Sequence, residues 1–235
     1  MKLPIIKGLI DRRILINYQV DAQVLADYLP DPFSPQLINE VGIAGICLIR
    51  LKHIRPKGLP SFIGISSENA AHRIAVEWEE KGQLRQGVYI PRRDTSSRLN
   101  AWAGGTIFPG THYLSQFMVI ENNGQYEVSF KNVDKTSMSI KVEDTDEWNS
   151  NSVFDTLHEA SLFFEKGAVG YSPDKNYFDG LKLNVDNWSV SPLDVHHVAS
   201  SFFENTDIFP KASIRFDNAL LMKKLGHEWE ALGQL

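Results

Sequence analysis

The sequence predicts an α+β fold, built on a mostly antiparallel, barrel-like β-sheet with a few peripheral helices. Three observations support this prediction. Short segments rich in β-branched and aromatic residues recur along the chain, turn residues separate them throughout, and only two or three segments have a helical pattern. No internal repeat, low-complexity segment or linker-like run divides the chain, so we expect a single domain over residues 1–235.

The first predicted elements alternate between strands and one short helix. Arg12–Val20 is rich in β-branched residues, which is typical of a strand. Asp21 is a suitable N-cap for a helix over Ala22–Leu29, which the prolines that follow would end. Beyond them we predict a short strand over Gln36–Asn39 and a long strand over Gly42–Ile54.

Chemically capable side chains concentrate in residues 66–100, which we predict to form a β-hairpin with a turn near Lys81 and Gly82. Strand side chains alternate with period two, so each strand presents its polar groups on defined faces. The first strand places on one face Ala70, His72, Ile74, Val76 and Trp78, with Glu68 if the strand extends back that far. The second strand places on one face Leu84, Val88, Ile90 and Arg92.

The register of this hairpin decides which polar groups meet. A three-residue loop sets Ala70 opposite Arg92. Glu68 then lies opposite Asp94 and diagonal to Arg92, within reach of long side chains. A four-residue loop shifts the register by one residue and brings Arg93 to the position of Arg92. The sequence leaves both registers open.

The second half of the chain predicts more strands and the clearest helix. Asn123 followed by Gly124, between two alternating runs, is the strongest short hairpin signal in the chain. A helical stripe runs through Ser152–Lys166, and Gly167 supplies its C-cap. The other predicted elements are a short helix over Ser96–Ala103, strands over His112–Glu121, Gln125–Asn132, Ser137–Val142, Gly180–Asn187 and Ala212–Leu220, an aromatic-rich loop over Tyr171–Asp179, and an amphipathic segment over Met222–Leu232.

Composition limits the classes of function. The net charge of −5 argues against general nucleic-acid binding, which needs an excess of Lys and Arg. No apolar run reaches the roughly 18 residues of a membrane-spanning helix. The first residues, MKLPIIKGLIDRR, lack the apolar core of a signal peptide. We therefore expect a cytoplasmic protein that contacts neither membranes nor nucleic acid.

The single cysteine excludes an internal disulfide. Cys47 lies in the apolar run Ile43–Leu51, where a buried small hydrophobic residue is a better interpretation than a nucleophile. The spacing of Cys and His is not that of a metal site, and the adjacent pair His196 and His197 is weak evidence for ligands. We expect neither a metal ion nor another cofactor.

Several segments resemble the acetoacetate decarboxylase-like superfamily. Residues 11–33 resemble its opening strand and the Asp-led helix that closes with Leu-x-Pro-x-Pro, and GVYIPRR at residues 87–93 resembles the decarboxylases' Gly-Phe-Pro-Lys-Lys element. Nearly the full length is similar to an uncharacterised bacterial branch of this superfamily, most specifically at Val41–Leu51, Ser66–Trp78 and Gly87–Ala101. The resemblance implies a mostly antiparallel β-barrel or cone, and it implies no established activity for the branch.

The resemblance also identifies candidate site residues. It places an acidic active-site residue at Glu68 and the decarboxylases' two lysines at Arg92 and Arg93. The first of those lysines forms an imine with the substrate ketone, whereas a guanidinium stays protonated and is no amine nucleophile, so we expect no imine-based decarboxylation here. Arginine forks instead suit a carboxylate or phosphate. A further site arginine is implied at Arg12 or Arg13, and the choice between them stays open.

Three functional hypotheses follow from these residues. In the first, arginines hold a small organic acid in an internal cavity while Glu68 or His72 moves a proton, as in a lyase, hydratase or isomerase without a Schiff-base lysine. In the second, the same cavity belongs to a non-catalytic ligand-binding or sensor domain. In the third, the charges form a structural ion-pair network. Asp94 could orient an arginine or cap the following helix. Separately, exposed aromatic residues such as Trp148 point to self-association as a homo-oligomer.

Overall fold

The computed structural model describes residues 4–104, 110–174 and 177–235. In these residues, fourteen strands and three α-helices form. The strands are β1 (Ile6–Asp21), β2 (Ser34–Pro35), β3 (Leu37–Ile38), β4 (Val41–Pro56), β5 (Ile65–Glu80), β6 (Gln83–Thr95), β7 (His112–Leu114), β8 (Gln116–Asn122), β9 (Gln125–Lys131), β10 (Ser137–Asp144), β11 (Val169–Asp174), β12 (Tyr177–Val185), β13 (Ser191–Ser200) and β14 (Ile214–Gln234). The helices are α1 (Ala22–Tyr28), α2 (Arg98–Ala103) and α3 (Leu157–Lys166). Within the described ranges, no helix has the length and apolar character needed to cross a membrane.

Seven of these strands curl into a ring. The order around it is β1, β4, β5, β6, β11, β12 and β14, and β14 pairs again with β1. Neighbours in the ring are antiparallel except β6 and β11, which pair in parallel. The predicted α+β class, with a mostly antiparallel sheet and a few helices, is confirmed as this ring-like arrangement.

The long strand β14 joins the ring to the rest of the sheet. One of its edges pairs with β1 between Ile214 and Trp229. The other edge pairs with β13 around Leu220 and with β12 from His227 onward. From β13 the sheet continues through β10, β9 and β8. These four strands cover one side of the ring strands and share the largest hydrophobic core with them.

Alternation along the ring strands separates two faces. In β1, Ile14 and Ile16 belong to the large core shared with β9 and β10, which we call the outer face of the ring. Leu15, between them, packs with Phe163 and Phe164 of α3 on the opposite side, which we call the inner face. Consecutive residues of a ring strand therefore contact different surroundings.

Two predicted helix starts differ in outcome. Asp21 caps α1 as predicted, because its carboxylate accepts hydrogen bonds from two backbone amides of the first turn. The helix predicted over Ser152–Lys166 begins only at Leu157, with Thr156 as its N-cap. The residues before it instead form a loop tied to the buried carboxylate of Asp217 by the Ser152 hydroxyl and a backbone amide.

The predicted loop over Tyr171–Asp179 is wrong, since its described residues belong to β11 and β12. Tyr171 is buried, and its ring contacts those of Trp78 and Phe33. Of the aromatic residues that indicated a loop, Tyr171 is therefore a core residue, and Phe178 packs partly buried against the same core. At the C-terminus, the separate strand and amphipathic segment predicted from residue 212 onward are one strand, β14, because both of its edges are paired.

From its turn to Ile74, the β5–β6 hairpin has the register that was predicted for a four-residue loop, but the turn itself is shorter than either predicted loop. Its turn contains only two residues, Lys81 and Gly82, and both have positive φ angles, 53° and 74°. The strands then pair regularly as far as Ile74, which lies opposite Tyr89. Two-residue turns of this type follow the twist of the flanking strands, which explains why the chain prefers it to the longer loops.

A β-bulge in β6 then reverses the alternation. Arg73 of β5 lies opposite two residues, Ile90 and Pro91, because Ile74 pairs with Tyr89 and His72 pairs with Arg92. Proline has no N–H to donate to the ladder and is tolerated at bulges. The expected shared face of Val88, Ile90 and Arg92 is therefore wrong: Val88 and Ile90 share the inner face with Arg93.

Candidate functional site

The ring contains a cavity of about 90 Å³, and all seven ring strands contribute to its wall. Gly167 and Ala168, which follow α3, close one side. A second chamber of about 60 Å³ shares with it the residues Ile49, Ala71, Arg93 and Trp229. A water molecule needs roughly 10–15 Å³ on this measure. The two chambers therefore have room for a small organic molecule.

Three arginines from different strands line the larger chamber: Arg13 of β1, Arg73 of β5 and Arg93 of β6. Arg13 lies on the inner face with Leu15. Arg73 alternates with the inner-face residue Ala71. Arg93 reaches the same interior because of the bulge in β6. Strand alternation thus brings together three cations that are far apart in the sequence.

Among the described residues, no carboxylate of the interior pairs with these three cations. Among the described residues that line the larger chamber, none is Asp or Glu. The smaller chamber includes Asp94, but both of its oxygens accept hydrogen bonds from Arg92, and Oδ1 also accepts one from Ser115. Charges interact more strongly in a buried environment than in water. The larger chamber consequently favours an anion.

Arg93 has unused hydrogen-bonding capacity at the junction of the two chambers. Its Nε donates to Ser172 Oγ at 3.1 Å. Its Nη2 is buried and has no hydrogen-bond partner among the described residues. Burial lowers the pKa of Arg93 to about 10, against the opposing effect of Cys47, so the side chain stays protonated at neutral pH. A buried, charged donor of this kind suits a carboxylate oxygen.

Cys47 lies between the other two arginines. Arg13 Nη2 and Arg73 Nε donate to its Sγ at 3.4 and 3.2 Å. Burial raises the pKa of the thiol, but the two guanidinium charges and their hydrogen bonds outweigh burial, and the pKa of Cys47 is lowered overall. The two guanidiniums thus favour the thiolate, which is the nucleophilic form of cysteine.

A buried polar chain holds Arg73 in place. Its Nη2 donates to Asn17 Oδ1. Asn17 Nδ2 donates to Asn218 Oδ1 at 2.7 Å, and Asn218 Nδ2 donates to the Asp217 carboxylate. All four residues are buried. The guanidinium also lies 4.8 Å from the ring centre of Phe164. These contacts orient Nε toward Cys47.

His112 lines the smaller chamber beside Arg93. Burial, followed by the charge of Arg93, lowers the pKa of His112 to about 4, so the imidazole is neutral at neutral pH. Its Nδ1 lies 3.1 Å from the carbonyl oxygen of Gly110. An Nδ1–H that donates to this oxygen leaves Nε2 unprotonated. In the ligand-free protein, burial and the charge of Arg93 make such an imidazole a weak base.

Arg12 and Glu68 lie on the outer face, in an ion-pair cluster with Arg50 and Glu121. Glu68 accepts hydrogen bonds from Arg12 Nη2 at 2.6 Å and from Arg50 Nε at 2.5 Å. Glu121 also binds both guanidiniums. Glu68 and Glu121 thus balance the two guanidiniums, although Arg12 is only 2% exposed. Asp11 Oδ2 also lies 3.6 Å from Arg50 Nη1. The cluster does not line either chamber.

His72 also lies on the outer face, among aromatic rings. Its ring centre is 4.6 Å from that of Phe202, 5.8 Å from that of Phe203 and 6.4 Å from that of Phe130. Burial, followed by the charge of Arg92, lowers the pKa of His72 to about 3. Neither ring nitrogen has a hydrogen-bond partner in the described part of the chain. These are the surroundings of a neutral core residue.

Arg92 and Asp94 form a separate polar group. Arg92 Nε and Nη2 donate to the two oxygens of Asp94 at 2.8 and 2.9 Å, and Nη1 donates to Asp134 at 2.6 Å. The guanidinium lies 4.2 Å from the ring centre of Tyr113. Asp94 therefore orients an arginine, and the N-cap of α2 is Ser97.

Two larger clefts on the surface, of about 380 and 530 Å³, carry less chemistry. The charged residues of the first are Glu147 and Asp194, and those of the second are Lys131 and Glu204. Neither cleft combines a buried cation with a nucleophile or a base, as the interior does. Within the described ranges, no group of three or more His, Cys, Asp or Glu side chains is arranged to hold a metal ion.

A model of the DUF2071 family, described as an uncharacterised conserved protein, matches residues 10–214. The chain belongs to this family. None of the curated proteins matches it significantly.

Solved structures that resemble this DUF2071 chain share its fold. An acetoacetate decarboxylase-like enzyme from Sphingomonas wittichii RW1 has a TM-score of 0.60 at 9% identity, covering 100% of this chain and 94% of its own. Acetoacetate decarboxylase from Legionella pneumophila subsp. pneumophila str. Philadelphia 1 has a TM-score of 0.57 at 12% identity, covering 97% and 87%. The enduracididine biosynthesis enzyme MppR complexed with pyruvate has a TM-score of 0.55 at 10% identity, covering 100% and 90%. These structures confirm the predicted acetoacetate decarboxylase-like fold, and the family match confirms that the chain belongs to an uncharacterised family.

Three residues of this site, Arg73, Cys47 and His112, were not predicted from the sequence of this DUF2071 chain. Strand alternation could have indicated Arg73, because it follows His72 and therefore lies on the opposite face of the same strand. Cys47 has no such signal, since the arginines that contact it are 34 and 26 positions away. His112 comes from a short strand whose parallel pairing with β6 is a long-range contact.

Proposed function

We propose that this DUF2071 protein binds a small organic carboxylate inside the ring, through the guanidiniums of Arg13, Arg73 and Arg93. The observation that carries the proposal is a set of three arginines around one interior chamber whose described wall has no carboxylate. The unpartnered, buried Nη2 of Arg93 supplies a donor for one carboxylate oxygen. The volume of the chambers limits the ligand to a small molecule.

The proposed activity is a lyase, hydratase or isomerase reaction without an imine. The resemblance of residues 87–93 implies that Arg92 and Arg93 take the place of the decarboxylases' two lysines, and a guanidinium cannot form an imine. His112, neutral at neutral pH, is the proposed acid–base group beside the bound anion. The structure of MppR with pyruvate, a small carboxylate, is consistent with a ligand of this class in the same fold. Binding without turnover is the alternative.

For the candidates on the outer face we propose structural roles. The cluster of Arg12 and Glu68 is balanced by Arg50 and Glu121, and this balance supports a role in joining β1, β4, β5 and β8. His72 is proposed as a neutral core residue for the reasons given above. Arg92 and Asp94 would similarly tie β6 to the β9–β10 connection through Asp134.

Thermal denaturation with a panel of small carboxylates and inorganic phosphate tests the binding proposal. A ligand at a hundred times its Kd stabilises the folded state by about 2.7 kcal/mol. For a chain of this size, that corresponds to a rise in Tm of about 5–10 °C. Arg93→Met should abolish the rise, whereas Arg85→Met, at an exposed position on the same strand, should preserve it. No rise with any anion, or an equal rise in Arg93→Met, would refute the proposal.

A further inference from the structure

Cys47 and Arg93 line the same chamber and carry complementary chemistry. The Cys47 sulfur is contacted by two guanidiniums that both donate to it. Arg93 instead keeps a buried donor that no described residue uses. A ligand whose carboxylate binds Arg93 therefore has a sulfur nucleophile on another part of the same chamber wall.

We propose that Cys47 is a catalytic nucleophile that adds reversibly to the alkene of a small α,β-unsaturated carboxylate bound by Arg93. This inference rests on the proposed function, because the same guanidinium has to hold the carboxylate. To that function it adds the class of substrate, an α,β-unsaturated carboxylate, and the reacting atom of the protein, the Cys47 sulfur. A thiolate is a soft nucleophile, and the β-carbon of a conjugated acid is the soft electrophile that matches it.

The step is balanced without any further reactant. The reacting form is the Cys47 thiolate, whose proton has been released to water. A lone pair of its sulfur forms a bond to the β-carbon, the alkene π bond breaks, and its electron pair moves to the α-carbon and the carboxylate. The negative charge thus leaves the neighbourhood of Arg13 and Arg73 and reaches the group held by Arg93, so a cation stabilises it before and after the step. Rotation about the new carbon–carbon single bond, followed by return of the pair and loss of the thiolate, gives the geometric isomer.

Side chains around the sulfur support this assignment. Arg73 is held by Asn17, within the buried chain that leads to Asp217, so its Nε stays directed at Cys47 before a ligand arrives. Apolar residues of the same wall, such as Val88 and Ile90, keep the chamber low in polarity. Preorganised charges in such surroundings act more strongly than in water.

Acrylate, the smallest acid of this class, allows a direct test on the full-length protein. It has no geometric isomer, so a proton from water at the α-carbon completes the addition and leaves a stable thioether. Acrylamide is the matched probe without a carboxylate. Thiolates in solution react faster with neutral acrylamide than with the acrylate anion. Because the chain has a single cysteine, intact-protein mass spectrometry reads the adduct at Cys47 directly, and Cys47→Ala serves as the blank.

We expect the folded protein to react faster with acrylate than with acrylamide, and the protein unfolded in urea to show the reverse order. Arg93→Met should reduce the acrylate rate about tenfold or more, the change that corresponds to loss of one charge-assisted hydrogen bond. Arg93→Lys, which keeps a cation, should retain part of the preference. Arg85→Met should leave both rates unchanged.

Propionate, the saturated analogue, separates this inference from the proposed function. If propionate stabilises both wild type and Cys47→Ala but wild type forms no acrylate adduct, the assignment of Cys47 as a nucleophile is overturned and the binding proposal stands. An acrylamide rate equal to or above the acrylate rate in the folded protein would also overturn it. No stabilisation by propionate together with no acrylate adduct would refute both proposals.

Discussion

Replacing Glu68 by Ala separates a structural role on the outer face from a role in ligand binding. Glu68 is 16% exposed at its side chain and accepts hydrogen bonds from Arg12 and Arg50 at 2.6 and 2.5 Å. Breaking a buried ion pair by removing one partner costs about 3–5 kcal/mol. Glu121 still binds both guanidiniums in the variant, so we expect a smaller loss, about 2–3 kcal/mol of unfolding free energy.

Thermal and urea denaturation measure this loss. For a chain of this size the expected decrease in Tm is about 5–10 °C. Glu127→Ala is the matched control, because it breaks an ion pair of similar length, Glu127 with Lys141, whose partners are both about half exposed. We expect no measurable change there. The anion that stabilises wild type should stabilise Glu68→Ala by the same amount. An unchanged Tm in Glu68→Ala, or loss of its stabilisation by the anion, would refute the structural role of Glu68.

Three further substitutions test other parts of the argument. The pKa of His72 is about 3 in the folded state and about 6.5 in the unfolded state, so the unfolded chain binds more protons below pH 6.5 and the stability of the wild type falls as the pH falls. Between pH 7 and pH 5, His72→Phe should remove about 2 kcal/mol of this loss of unfolding free energy, as measured by urea titration. If wild type and variant depend equally on pH, the prediction is contradicted. Arg92→Met should lower stability by about 3 kcal/mol, since it leaves buried Asp94 short of a cation, while the anion-induced rise in Tm persists. Asn17→Ala should lower the unfolding free energy by about 1–3 kcal/mol and weaken anion binding, because Arg73 loses its hydrogen-bond acceptor. If that variant binds the anion with wild-type affinity, Asn17 does not position Arg73 for binding.

The sequence predicted the fold class well because local signals and tertiary contacts agree over most of the chain. The cap at Asp21 and the turn at Asn123 and Gly124 depend on neighbours in the sequence and occur where they were expected. The errors concern contacts between distant segments. Residues 171–179 have the composition of a loop. The described part of this segment nevertheless forms β-strands, because it pairs with other ring strands.

The site was harder to predict because one residue of register decides which side chains reach the interior. Period-two alternation placed Arg92 with Val88 and Ile90, and this would hold without the bulge at Pro91. The bulge exchanges the faces of Arg92 and Arg93. A proline inside a strand is a signal for such a bulge, but sequence alone does not show whether it bends the strand, ends it or reverses its faces.

The distribution of charge between the two faces links stability to function. On the outer face, each buried guanidinium is paired with carboxylates: Arg12 with Glu68 and Glu121, Arg92 with Asp94. On the inner face, Arg93 has no carboxylate partner among the described residues, and burial lowers its pKa. An unpaired buried cation lowers the stability of the folded state. Removing it by Arg93→Met should therefore raise the stability of the ligand-free protein, whereas Arg92→Met lowers it. A residue that destabilises the free protein while facing an interior chamber has the signature of a binding site, where the missing counter-charge is supplied by the ligand.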